Sequence, residues 1–104
     1  MDLDGRLALV TGAGSGIGRA CAALYRAAGA TVLVTDVDDA SGSAAAAAID
    51  ATYLHLDVTD PAEWSALIGG VEATHGRLDL VHLNAGIRLG QGGISLTGQP
   101  KEDT

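Results

Sequence analysis

Short apolar runs alternate with longer amphipathic stretches along this chain, and each run stops at a polar or glycine-rich turn. Residues 6–11, Arg-Leu-Ala-Leu-Val-Thr, end at glycines and predict a strand buried on both faces. Residues 17–28 predict a helix. Its expected apolar face is Ile17, Cys21, Leu24 and Ala28, with Gly29 in the left-handed position that closes it. Residues 31–36 predict a second strand from their β-branched content. The Ala-rich stretch from Asp38 to about Ala48 predicts a helix that packs closely but weakly, because it has little large apolar surface. Residues 52–56 predict a third strand, with Asp57 at its end. A third helix starts at Asp60 as cap, with Pro61 at the first helical position and Glu63 at the capping-box position. Trp64, Leu67, Ile68 and Val71 give it an apolar face, and Gly76 follows its last turn. Residues 78–83 predict a fourth strand. From Ile87 a Gly-rich loop follows, and residues 100–104 look like the beginning of another helix.

This β-α-β-α-β-α-β alternation predicts one α/β domain with a parallel sheet and right-handed crossovers. The strand ends then carry the candidate chemistry. The first turn reads Thr11-Gly12-Ala13-Gly14-Ser15-Gly16-Ile17-Gly18. Its glycines permit close backbone approach, and the helix that follows aims unsatisfied N–H groups into it, which makes a pyrophosphate site without any lysine. The spacing is not G-x-G-x-x-G, since Ile17 stands where the third Gly belongs, and no Gly-Lys-Ser/Thr follows as in a P-loop. A Gly-rich turn without a ligand is the plainer alternative. Asp36 ends the second strand, 18 residues after Gly18. An acid at about that distance accepts hydrogen bonds from an adenosine ribose and repels a 2′-phosphate, which favours NAD over NADP. Its alternatives are a helix cap or a solvated strand end. Asp57 and Asn84 end strands three and four, where ligand crevices of such sheets lie; a turn cap and an Asx-turn are their alternatives.

Composition narrows the class. Hydrophobic residues make up 47% of the 104, which excludes a disordered tail, and 13 acidic against 6 basic side chains leave no basic stripe for nucleic acid. No apolar stretch approaches the roughly 18 residues of a membrane span, and the acidic start lacks the basic region of a signal peptide. The single cysteine, Cys21, fits a reducing cytoplasm and reads as a small packing residue on its helix. His55, His75 and His82 show no metal-ligand spacing, so no metal is expected. His82 reads as a hydrogen-bonded strand residue and Trp64 as helix-face packing.

Taken together, Thr11 to Gly18, Asp57-Val58 and Asn84-Ala85-Gly86 resemble the T-G-x-x-x-G-x-G, adenine-binding Asp and N-A-G motifs of the short-chain dehydrogenase/reductase family. The resemblance runs from about Gly5 to Ile94, with Leu83 standing where the family often has a first Asn. It implies a Rossmann-like doubly wound parallel sheet of about four strands in the order 3-2-1-4, with residues 1–104 forming the N-terminal part of a single-domain dinucleotide-binding fold. It further implies that Gly12, Ser15, Gly16, Ile17 and Gly18 wrap the pyrophosphate, braced by Thr11. Asp36 would hold the ribose, Asp57 and Val58 the adenine, and Asn84, Ala85 and Gly86 would pass under the adenosine side. The implied activity is hydride transfer between a nicotinamide and a small alcohol or carbonyl substrate, by a protein expected to be a homo-oligomer when complete.

The family's catalytic Ser, Tyr and Lys find no counterpart here. Only Tyr25 and Tyr53 are present, and Gly29 and Asp57 stand four residues beyond them; the sole lysine is Lys101. The expectation is therefore a cofactor-binding half whose catalytic residues lie beyond Thr104. The alternatives are a truncated or degenerate NAD-binding module without catalysis, and a marginally folded fragment whose apolar fourth strand lies on an open edge.

Overall fold

The structure, a computed structural model, describes residues 2–84. Four strands and three helices alternate: β1 (Leu7–Val10), α1 (Gly16–Ala27), β2 (Thr31–Asp36), α2 (Asp39–Ala48), β3 (Thr52–His55), α3 (Pro61–His75) and β4 (Leu80–His82). All pairings are parallel and the order is β3-β2-β1-β4, as expected. The register sets Val10 beside Val34 and His82, and Asp36 beside His55. The carboxyl ends of all four strands therefore open on the same side of the sheet. The loop expected from Ile87, the helix start expected near Pro100, Ala85 and Gly86 lie outside the described residues.

Strand alternation builds two cores, one on each face of the sheet. Ala8, Val10, Val32 and Val34 point toward α1 and α2, where they meet Ala22, Ala45 and Ala46, with Tyr25 and Tyr53 packed alongside. Leu7, Leu9 and Leu33 point the other way, toward Val71, Trp64 and Leu67 of α3. The first layer is built from small side chains, which lets α1 and α2 lie close to the strands.

That close approach corrects the expected face of α1. Its buried positions are Gly18 and Ala22, with Tyr25 against the core, whereas Ile17 is 72% and Leu24 68% exposed. Large apolar side chains do not fit where a helix sits this near a sheet. The ends of the helices follow their capping residues. Asp38 caps α2 by accepting from the N–H groups of Ala40 and Ser41, and Asp60 caps α3 through Ala62 and Glu63. Gly76, at φ +80°, closes α3 in the left-handed region. Glu63 does not complete a capping box on Asp60. Its Oε1 instead accepts the Asp57 N–H at 2.9 Å, and Asp60 N–H goes to the Asp57 carbonyl at 3.0 Å.

β4 is tied in by Asp79, whose N–H donates to the Leu7 carbonyl at 3.0 Å while its Oδ2 accepts the Leu7 N–H at 2.8 Å. In β4 Val81 is 42% exposed, and Leu83 beyond the strand 48%. Among the described residues β4 is an edge strand, as read from the sequence. Among the described residues, no helix is long and apolar enough to cross a membrane.

Candidate functional site

The loop between β1 and α1 is fastened to the strands on both sides of β1. On one side the Ala13 N–H donates to the Thr35 carbonyl at 2.9 Å, and the Gly14 N–H to Asp36 Oδ2 at 2.8 Å. On the other, Asn84 Nδ2 donates to the Gly12 carbonyl at 3.2 Å, and the Thr11 N–H to the His82 carbonyl at 3.0 Å. Thr11 itself is fully buried. Gly12 and Gly16 both sit at φ +59°, a region that side chains with a Cβ adopt at a cost. Ser15 precedes α1 in an extended conformation and makes no side-chain cap. The first N–H groups of α1 (Gly16, Ile17 and Gly18) precede the first residue with an intrahelical acceptor, and Arg19 N–H bonds Ser15 O at 3.3 Å. With no acid in its first turn, this helix end presents an uncompensated positive dipole.

A cleft of about 510 Å³ opens in front of that helix end. It is lined by Gly12, Ser15, Gly16, Ile17, Asp36, Asp57, Val58 and Asn84, eight of the eleven residues singled out from the sequence, together with Val37, Leu56 and Thr59. Gly18 does not line it. It lies beneath the loop, where an added Cβ would stand 2.2 Å from the Gly12 carbonyl oxygen. The other two, Ala85 and Gly86, are outside the described residues.

Each acid in the cleft has a defined backbone role. Asp36 Oδ1 accepts the Asp38 N–H at 3.0 Å while Oδ2 holds Gly14, and the cap of α2 is Asp38, not Asp36. Asp57 Oδ1 accepts the Thr59 hydroxyl at 2.6 Å and the Thr59 N–H at 2.9 Å. These two bonds, the hydroxyl first, hold its carboxyl below the ordinary range. The turn reading of Asp57 is thus present in the structure. The Asn84 amide braces the glycine loop, and the partner an Asx-turn would need, Gly86, lies outside the described residues. The Val58 carbonyl is held by the Trp64 indole N–H at 3.0 Å, so Trp64 has a hydrogen-bonding role besides packing.

Behind Asp36 and Asp57 lies a set of contacts the sequence reading missed. Tyr53 and His55 share one face of β3, the α2 face, and both reach the Asp39 carboxylate. Strand alternation next to the acidic start of α2 was the signal for it. Neither tyrosine lines the cleft. The Tyr25 hydroxyl meets His82 Nδ1 at 2.8 Å, and Tyr53 is held off its ordinary pKa, upward, by burial and by Asp39. Cys21 is half-buried on α1. Among the described residues no cluster of His, Cys, Asp and Glu could hold a metal.

A parallel sheet whose strand ends and glycine loop converge on one cleft defines a Rossmann-like α/β fold. This chain belongs to the short-chain dehydrogenase family, whose model matches residues 6–102. It is 39% identical over 104 residues to tropinone reductase-like 2 of Erythroxylum coca, covering 97% of this chain and 38% of that protein. Among solved structures it resembles a short-chain dehydrogenase from Shigella flexneri 2a complexed with NADP, with 31% identity and a TM-score of 0.76 over 82% of this chain and 39% of the other. It also resembles a ribose-5-phosphate isomerase from Brucella melitensis 16M, at 42% identity and a TM-score of 0.79 over 82% of this chain and 33% of the other. The chain thus spans well under half the length of these relatives.

Proposed function

We propose that the cleft binds NAD and that this chain supplies the dinucleotide-binding part of an oxidoreductase acting on a small alcohol or carbonyl compound. The observation that carries the reading is the meeting of the α1 N-terminus, the Gly12–Gly16 turn and two acids in one cleft. The groups present suit the ligand. The free N–H groups of α1 would take the pyrophosphate. The remaining lone pairs of Asp36 would accept the ribose hydroxyls, and Asp57 with Val58 would face the adenine. A nicotinamide dinucleotide, when bound, supplies hydride transfer. The residues of this chain would bind and orient it, and among the described residues the side chains lining the cleft include no Tyr, Lys or His.

Asp36 also supports the choice of dinucleotide. A 2′-phosphate would bring about −2 charge against its carboxylate, and among the described residues those lining the cleft include no Lys or Arg to offset it. The isomerase name of the Brucella relative does not alter this reading, since one fold hosts many chemistries. Trp64, hydrogen-bonded to Val58 at the cleft wall, reports on binding. A titration of its fluorescence should show NAD binding at least about tenfold tighter than NADP, a difference of about 1.4 kcal/mol. Equal affinity would remove the role given to Asp36, and no response to either would remove the reading.

A second reading, an NAD-binding module without chemistry, is favoured by one observation. Tyr25 and Tyr53 are both committed to internal hydrogen bonds away from the cleft. Substrate-dependent NADH turnover by this chain would exclude that reading; its absence alongside NAD binding would support it.

A further inference from the structure

A continuous chain of polar contacts joins the two acids at the adenosine end of the cleft. The Tyr53 hydroxyl shares its single hydrogen between the Asp36 backbone carbonyl at 2.9 Å and Asp39 Oδ1 at 2.5 Å. The same Asp39 oxygen meets His55 Nδ1 at 2.7 Å. On the other side of the ring, His55 Nε2 stands 4.0 Å from Glu63 Oε1. That Glu63 oxygen accepts the backbone N–H of Asp57 at 2.9 Å. The chain therefore starts on the backbone of Asp36, crosses α2, β3 and α3, and ends on the backbone of Asp57.

We propose that His55 is a positioning residue for the adenosine end of the cleft: in its doubly protonated form it ties Asp39 to Glu63, and so fixes the Asp36 loop relative to the Asp57 loop. This inference rests on the reading of the cleft as a dinucleotide site. The argument turns on which ring nitrogen carries a proton. Asp39 is a carboxylate and can only accept, so His55 Nδ1 carries hydrogen in either state. In the neutral ring Nε2 then presents a lone pair to Glu63, and the two groups repel. In the cation Nε2 carries a hydrogen, and the same 4.0 Å approach becomes attractive.

The charges that face the ring are acidic on every side. Asp39 comes from α2, Glu63 from α3 and Asp57 from the β3–α3 turn. His75, at the far end of α3, borders the same groove. The Asp39 hydrogen bond, with these charges added, holds the His55 pKa above its ordinary value. The tie is therefore complete below the ordinary imidazole value of about 6.5 and is released as pH rises through the raised one.

NAD titrated calorimetrically into the chain between about pH 6 and about pH 9 tests this, in wild type, His55→Gln and Glu63→Gln. The dinucleotide itself does not titrate in that interval. Because the ring and its partners are partly exposed, the expected loss of wild-type affinity across the interval is about threefold. The loss should follow the midpoint of the His55 ring resonance measured by NMR. Both variants should show a flat profile. The Glu63→Gln side chain keeps an acceptor for the Asp57 N–H, so this variant retains the local fold if His55→Gln does not. A flat wild-type profile, or the same slope in His55→Gln, overturns the inference while leaving the cleft reading standing. A merely structural His55 would lower Tm without changing the pH slope, which also overturns it. No NAD binding in any of the three proteins overturns the cleft reading and this inference with it.

Discussion

Asp36 Oδ2 accepts the backbone N–H of Gly14 at 2.8 Å, so the acid at the end of β2 holds the glycine loop at the end of β1. The same carboxylate faces the cleft. It is therefore a fastening for the glycine turn as well as a candidate ribose ligand. Asp36→Ala should lower NAD affinity by more than about tenfold, since hydrogen bonds to a charged group contribute about 1.5–3 kcal/mol each. It should also bring NAD and NADP affinities together. Unchanged NAD affinity in parallel titrations would contradict both roles.

Glycines in different settings should respond in opposite directions to alanine. At Gly18 the new Cβ would meet the Gly12 carbonyl oxygen at 2.2 Å, a backbone atom that cannot step aside. Gly18→Ala should destabilise the chain by about 1–3 kcal/mol. Gly69 lies inside α3 with nothing within 4 Å of an added Cβ. Gly69→Ala should stabilise by about 0.5–1 kcal/mol, because glycine loses more backbone freedom than alanine on entering a helix. Thermal denaturation checks the pair, at about 4–8 °C per kcal/mol for a domain of this size. Equal and small shifts would contradict the packing described.

Asp79 makes stability depend on pH at the acid end. Its carboxyl is held below the ordinary range first by the Leu7 N–H, with Arg77 and Arg6 adding to it. A lowered folded pKa gives stabilisation that is complete above the ordinary carboxylate value of about 3.9 and lost as pH falls through the folded value. Asp79→Ala should therefore have a lower Tm than wild type from about pH 5 upward, and the gap should close in more acidic solution. A gap that persists undiminished at low pH would assign the effect to packing instead.

How much of this was legible in the sequence divides by the kind of signal. The order of elements and the places where strands end came through, because apolar runs, Asp60-Pro61 and glycines mark them locally. Strand β2 matches residue for residue, and the clustering of Asp36, Asp57 and Asn84 follows from parallel strands ending on one side. The face of α1 did not come through. Hydrophobic periodicity weights large side chains, whereas this helix lies against the sheet through Gly18 and Ala22. Ile17 carries a double demand, apolar in pattern and yet at the cleft wall. The Tyr53–Asp39–His55 contacts were equally hidden, since they join residues 14 and 16 positions apart across two elements. The role of Glu63 was half legible. Its position three residues after Asp60 predicted a reach back along the chain, and it reaches three residues further, to Asp57.

The central claim is that one cleft at the carboxyl ends of the strands receives a nicotinamide dinucleotide. Amide chemical-shift mapping of the ¹⁵N-labelled chain during an NAD titration tests it most directly. The account predicts saturable shifts at Gly12, Ser15, Gly16, Ile17, Asp36, Asp57, Val58 and Asn84, with the groove between β3 and α3, around Ala66 and Gly70, unaffected. No saturable shift, or shifts centred on Ala66 and Gly70, would contradict it.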